Sequence, residues 1–273
     1  MIILYALIFS LVQALTEFWP ISSSGHLVLL HDVFRVDLVD NMTFDVALHI
    51  GTALALLVYF WADIARYWKA FLTMFRGFNI AQDDQKTVVN IILATIPAIL
   101  VGLIFDNAIE KYLRSVLVVA IALFVGGVII LIVEHYSKRR IPFEGLSLPE
   151  AILIGLAQAI ALIPGVSRSG ATIIAGMALN LKRVEAARFS FLLSIPVVLA
   201  AGIKKLFDVQ LMTLSNREVY LLIFGAMATF ITGYLVIKGF LKYIESHSLK
   251  VFAWYRIIVG AILLSLVVLK VIS

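Results

Sequence analysis

Glu17, His26 and Arg168 each stand beside a proline- and serine-rich break in an otherwise apolar stretch of this 273-residue chain. Charged groups at membrane depth cost about 2.5 to 3.5 kcal/mol each on insertion scales, so residues placed there are functional candidates by default. After Pro20 the first break runs Ser22, Ser23, Ser24, Gly25, His26; after Pro164 and Gly165 the second runs Ser167, Arg168, Ser169, Gly170, with Thr172 following. Serine is a favoured helix N-cap, and the free N–H groups of a helix start, with the positive end of the dipole behind them, attract an anion. Capping accounts for one serine, not for three and a histidine. The second break adds a guanidinium, whose planar fork suits bidentate phosphate recognition. Gln13 and Glu17 are four apart, so they stack on one helix face that points at the first break. Two helix starts, a carboxylate, hydroxyls, an imidazole and an arginine are the groups that anion chemistry needs at one centre.

Those residues need a membrane fold to hold them. The chain is 62% hydrophobic and 14% charged, too apolar to coat a soluble globule. Its net charge of +5 comes from short basic clusters between apolar runs, the pattern of membrane loops, so nucleic acid is excluded as a partner. Spans of about 17 to 25 residues are needed to cross the bilayer core, and six stretches approach or meet that, near 44–62, 88–105, 115–134, 184–204, 219–237 and 251–270. Two further runs, Ile2 to Leu15 and Ala151 to Ile163, are too short and end in the two breaks. Irregular backbone at that depth persists only where protein or a cavity satisfies it, so both are read as re-entrant helical hairpins. The N-terminal run has no basic residue before it and is read as retained rather than as a signal peptide.

A shift of 145 residues superposes the hairpins: Gln13 falls on Gln158, Ser22, Ser24 and Gly25 on Ser167, Ser169 and Gly170, and Phe44 on Phe189. The expected fold is therefore an all-α polytopic membrane protein, one domain over 1–273. It is built from two repeats, roughly 1–135 and 146–273, each a hairpin plus three spans. An odd number of spans inverts the second copy. Counting basic residues on the two sides, thirteen against seven, puts the larger set in the cytoplasm and opens the first hairpin outward. The copies differ where chemistry would sit: Glu17 faces Leu162, Ser23 faces Arg168 and His26 faces Ala171.

With these residues in view, the chain resembles the undecaprenyl pyrophosphate phosphatases of the BacA type. Gln13 to Glu17 matches their (E/Q)xxxE pattern, Pro164 to Thr172 reads PGVSRSGAT against PGxSRSxxT, and the SSSGH run between them is also similar. The likeness extends over essentially the whole chain, including the SFLLSIP segment. It implies removal of the terminal phosphate of undecaprenyl diphosphate in the bacterial inner membrane, at a site facing outward, with a divalent metal. With no cysteine present, oxygen ligands favour Mg2+ or Ca2+. The first position of the (E/Q)xxxE pattern is Gln13, so only Glu17 supplies a carboxylate there. On that reading Arg168, Ser167, Ser169 and Thr172, with Ser22 and Ser24, clamp the diphosphate. Glu17, helped by Gln13, holds the metal; Ser23 is the nucleophile and His26, three residues on, the acid or base. A water activated by Glu17 is the competing version. The partners expected are the polyprenyl diphosphate lipid and the bilayer, with a homo-oligomer left open.

Two rivals have residue-level tests. A secondary transporter or lipid flippase would share the inverted repeat and broken helices, but would not release phosphate in detergent. The phosphatidic-acid-phosphatase superfamily shares the Ser24, Gly25, His26 triplet, yet the histidine it needs after Ser167 and Arg168 is Ile174 here. Asp45, His49 and Arg256 are read as mainly structural, Arg256 snorkelling to the interface. Pro97 and Pro196 are expected to kink their spans, and Gly126 with Gly127 to let helices approach closely.

Overall fold

The computed structural model describes all residues except 1, 35–38, 40, 76, 78, 80–81, 139–140, 209–213 and 272–273; side chains at 32–33, 41–42, 106–107, 110 and 203–208 are also outside the description. Arg35, Arg76, Arg139 and Arg140, which entered the charge count, therefore lie outside the described residues.

Each apolar run folds as a helix, because in lipid only intrahelical bonds can satisfy the backbone. The first hairpin is α1 (Ile2–Phe18) and α2 (Ser23–Phe34), followed by α3 (Asn41–Tyr59), α4 (Trp61–Met74), α5 (Asp83–Leu113) and α6 (Val116–Tyr136). The second hairpin is α7 (Leu148–Ile160) and α8 (Arg168–Ala178), followed by α9 (Arg183–Asp208), α10 (Asn216–Ser246) and α11 (Lys250–Val268). The six expected spans are α3, α5, α6, α9, α10 and α11. Five of these are long and apolar enough to cross by themselves, and α3 qualifies together with α4, from which it is bent by 76°. The protein is a multi-pass α-helical membrane protein.

Helix α4 was not expected. Its polar face carries Asp63, Arg66 and Lys69, while Trp61, Trp68 and Leu72 are exposed and Tyr67 and Ala70 are buried. Such a segment is too polar to span and too amphipathic to be a loop, which is the profile of a helix lying in the interface.

The helices pair with the copies exchanged. Helix α1 packs on α10 and α7 on α5; α3 packs on α10 and α9 on α5; α6 lies along α11. Close approach is bought by glycine, as expected for helices in lipid: a Cβ on Gly127 would come within 2.7 Å of the Ala253 carbonyl on α11, and one on Gly155 within 2.3 Å of the Ala94 carbonyl on α5. The core is aromatic around Phe191, whose ring centroid lies 5.6 Å from Phe18, 6.2 Å from Phe60 and 6.0 Å from Phe240. It locks the end of α1 against α9 and α10. Pro97 and Pro196 lie inside α5 and α9.

Ion pairs gather one end of the molecule. Arg183 grips Glu134 with two bonds of 2.8 Å, Arg188 reaches Asp63 at 3.0 Å, and Lys86 donates to the Glu144 carbonyl at 3.1 Å. These two arginines and Lys86 all belong to the larger basic set.

Candidate active site

The two breaks are built alike. Ser22 and Ser167, equivalent by the 145-residue shift, both have positive φ, 78° and 73°, a region that costs a non-glycine residue about 1 to 2 kcal/mol. In each copy the strained serine caps the following helix: Ser22 Oγ accepts from the Gly25 amide at 3.4 Å and Ser167 Oγ from the Gly170 amide at 3.1 Å. Each Oγ also lies 3.3 Å from the next serine hydroxyl but one, Ser24 or Ser169. The backbone thus turns sharply and presents the starts of α2 and α8. Gly165, φ 92°, completes the second turn against α6, where a Cβ would sit 2.8 Å from the Val119 backbone.

The tips meet. Arg168 Nη2 donates to Glu17 Oε1 at 2.7 Å, and Ser169 Oγ to the Trp19 carbonyl at 3.1 Å. Glu17, 7% exposed, takes two further bonds on Oε2, from Ser23 Oγ at 2.6 Å and from Gln13 Nε2 at 3.2 Å. One carboxylate therefore holds a hydroxyl from its own hairpin and a guanidinium from the other. Among the atoms buried without a partner are Gln13 Oε1 and, on a residue that lines a cavity, Arg168 Nη1. Buried polar groups are nearly always satisfied, so orphans beside a cavity mark where a ligand completes the set.

Glu17, Ser22, Ser23, Ser24, Ser167 and Arg168 all line one cavity of about 390 Å3. The other expected residues are placed differently. Gln13 stands behind Glu17. Thr172 is buried, donating to the Arg168 carbonyl at 2.8 Å and lying 2.5 Å from Ser190 Oγ, and Ser169 is spent on Trp19. These two hold α8 and the tip contact rather than the cavity wall. His26 faces away: Nδ1 donates to the Ser22 carbonyl at 2.6 Å, Nε2 lies 2.6 Å from the Tyr255 hydroxyl, and the rings stack at 5.7 Å.

Three further cavity residues were given no catalytic or binding role by the sequence, Asp45 and His49 being read as mainly structural. His49 Nδ1 donates to the Asp45 carbonyl at 2.7 Å, which turns Nε2 toward Glu17 Oε2, 3.9 Å away. Asp45 lines the same wall and bonds His31 at 2.9 Å. Arg114, at the end of α5, brings a second guanidinium to the lining. The four-residue spacing of Asp45 and His49 was visible, but their partner, Glu17, is a fold contact.

The remaining wall is apolar, with Leu27, Val28, Val46, Ile109, Val197 and Val198. It runs from the tips toward Arg114 and Gly202, at the end opposite the Arg183 and Arg188 ion pairs. Among the described residues no cluster of three or more His, Cys, Asp or Glu side chains forms a cage for a metal. Mg2+, however, is commonly bound by one or two carboxylates together with substrate phosphates, and Glu17 on the cavity wall fits that mode, with Gln13 buried behind it.

A profile of the family described as bacitracin resistance protein BacA matches residues 6–262. Among similar proteins, an undecaprenyl-diphosphatase of Rubrobacter xylanophilus is 39% identical over 269 residues, 98% of this chain and 99% of that one. One of Alteromonas mediterranea is 42% identical, covering 94% and 96%, and one of Methanobrevibacter smithii is 40% identical, covering 95% and 96%.

Proposed function

The chain belongs to the bacitracin resistance protein BacA family, and on that premise we propose that it hydrolyses undecaprenyl diphosphate to undecaprenyl phosphate and inorganic phosphate. The observation that carries this reading is Arg168. Its Nη2 is anchored on Glu17 while its Nη1 is buried and unpartnered, at a cavity that two helix starts face. An anchored fork with a free tine is built for an anion that arrives later. Phosphoryl transfer asks mainly for positioning and charge neutralisation, and both are present.

Ser23 is the nucleophile. Its hydroxyl already donates to Glu17 Oε2 at 2.6 Å, the pairing of nucleophile and base that such a step requires. Glu17 takes the Ser23 proton as Oγ bonds to the terminal phosphorus. The bridging P–O bond breaks, and the departing lipid monophosphate takes that proton from Glu17. Water then attacks the phosphoserine; Glu17 accepts its proton and returns it to Ser23 Oγ, releasing phosphate. Arg168 and the amides of α2 and α8 hold the phosphoryl oxygens, with Ser22, Ser24 and Ser167 lining the bed. His26 fixes the Ser22 carbonyl, and through it the tip that carries Ser23. Ser169 and Thr172 support Arg168 from behind.

Glu17 and Gln13 are the residues that would hold a divalent cation, Mg2+ or Ca2+. When bound, the ion neutralises charge on the diphosphate. The valine and leucine wall takes the first isoprenoid units, and the rest of the tail lies along the bilayer. The basic end of the molecule, by the positive-inside rule, faces the cytoplasm, so the cavity opens to the outer side of the cytoplasmic membrane and the product re-enters the carrier cycle of cell-wall polymer synthesis.

Purified protein in detergent has no second compartment and no membrane potential. Phosphate release from a polyprenyl diphosphate under those conditions, lost on Arg168→Ala, is expected. Absence of release with added Mg2+ or Ca2+ would contradict the enzyme reading and favour transport.

A further inference from the structure

Both breaks leave carbonyls of their own irregular backbone outside any helix, at a depth where water is not there to satisfy them. A single side chain answers for both. Arg256 on α11 does not snorkel to the interface; it is 0% exposed, because its hydrogen-bond acceptors lie inside. Nη1 donates to the Pro20 carbonyl at 3.1 Å in the first break. Nη2 donates to the Gly165 and Val166 carbonyls at 3.2 and 3.0 Å in the second. The remaining bonds go to α6, from Nη2 to Ala122 at 3.0 Å and from Nε to Leu123 at 3.3 Å.

The slot is cut for this group. A Cβ on Gly126 would fall 2.0 Å from Nη2, and one on Gly170, in the first turn of α8, 3.0 Å from Nη1. Pro20 is three residues before Ser23, and Val166 two before Arg168. One rigid, planar group therefore joins the backbone next to the nucleophile to the backbone next to the phosphate clamp, across two hairpins that no covalent link holds together locally. Capping alone does not call for a full charge, which is costly to bury in lipid. A guanidinium does two things a neutral cap cannot: it sets the spacing of both breaks with one fixed fork, and it places positive charge behind two helix starts that face an anion.

We infer that Arg256 is a positioning residue of the reaction, holding Ser23 and Glu17 in register with Arg168. The inference rests on the roles given to Ser23 and Arg168 above. Lysine retains the charge but concentrates its donors on one nitrogen, so it cannot span both breaks.

The test measures kcat, KM and thermal melting of Arg256→Lys, Arg256→Ala and Gly126→Ala in detergent, beside Ser23→Ala and Arg168→Ala. Gly126→Ala leaves the arginine in place and pushes its guanidinium from the α6 side, so it serves where an Arg256 variant fails to fold. Misplacement of a site by about 1 Å is enough for a loss on the order of 100-fold. The expected result is a fall of that order in kcat for Arg256→Lys and Gly126→Ala, with KM changed less than about threefold, lower melting but folded protein at the assay temperature, and partial recovery of Arg256→Ala by added guanidinium. Wild-type kcat in folded Arg256→Lys and Gly126→Ala, or activity that falls only in proportion to folded protein, would overturn the inference while leaving the site reading intact. Wild-type turnover in Ser23→Ala and Arg168→Ala would instead remove the reading on which it rests.

Discussion

Replacing Arg168 by lysine keeps the charge and removes the fork. In the structure one tine, Nη2, is committed to Glu17 Oε1 at 2.7 Å, and the other, Nη1, is buried with no protein partner. A lysine ammonium reaching the same place must divide itself between Glu17 and the phosphate, so one charge-assisted hydrogen bond to the reacting group is lost. Such a bond contributes about 1.5 to 3 kcal/mol, which corresponds to a fall of about 10- to 150-fold in kcat/KM. Arg168→Ala goes further. It leaves Glu17 buried without its counter-charge, a loss of about 3 to 5 kcal/mol when one partner of a buried pair is removed, and it takes away the clamp as well. Colorimetric phosphate release from a long-chain polyprenyl diphosphate, with purified protein in detergent at saturating Mg2+, measures both. Arg168→Lys within twofold of wild type would refute the argument, because Arg168 would then serve only as the counter-ion of Glu17.

Other consequences follow from the same geometry. Gln13→Glu sets a second carboxylate against Glu17 Oε2, where Gln13 Nε2 now donates at 3.2 Å; the Mg2+ concentration for half-maximal turnover should fall, and activity in chelator-treated protein should drop, in a phosphate-release titration. An unchanged titration would argue against a cation at this pair. At Ser167, φ 73°, alanine and glycine both lose the cap, but only glycine relieves the positive φ. Thermal or denaturant unfolding should therefore show Ser167→Ala less stable than Ser167→Gly by about 1 kcal/mol. Tyr255→Phe removes the hydroxyl that engages His26 Nε2 at 2.6 Å and leaves the Ser22 contact in place. Turnover should fall by about fivefold, the equivalent of one ordinary hydrogen bond of about 1 kcal/mol, whereas a loss as deep as that of Ser23→Ala would mean that His26 itself handles a proton of the reaction.

The span pattern and both hairpins were legible because the bilayer imposes length and apolarity, and because proline, glycine and serine announce a break. Ser22 and Ser167, superposed by the 145-residue shift, share positive φ values of 78° and 73°. The positions where the copies differ put Glu17 on one hairpin and Arg168 on the other, but the ion pair between them was not expected. What failed to show was direction. His26 sits three residues past Ser23 on the same helical turn, yet its imidazole folds back on the carbonyl four residues before it, that of Ser22, and on Tyr255. Arg256 resembled a snorkelling cation because its partners are carbonyls, which carry no side-chain signature. Helix α4 fell between categories, its charges hiding an apolar face. His49 was noticed without a role, since only the folded chain brings α3 to Glu17.

The account stands most directly on a single quench experiment with substrate labelled in its terminal phosphate. Acid quench within the first turnover should leave label on the protein, at Ser23 and nowhere else, and Ser23→Ala should neither retain label nor release phosphate. Near-normal turnover by Ser23→Ala, or its abolition with no labelled serine ever trapped in the wild type, would contradict the covalent route and hand the nucleophile's part to a water on Glu17.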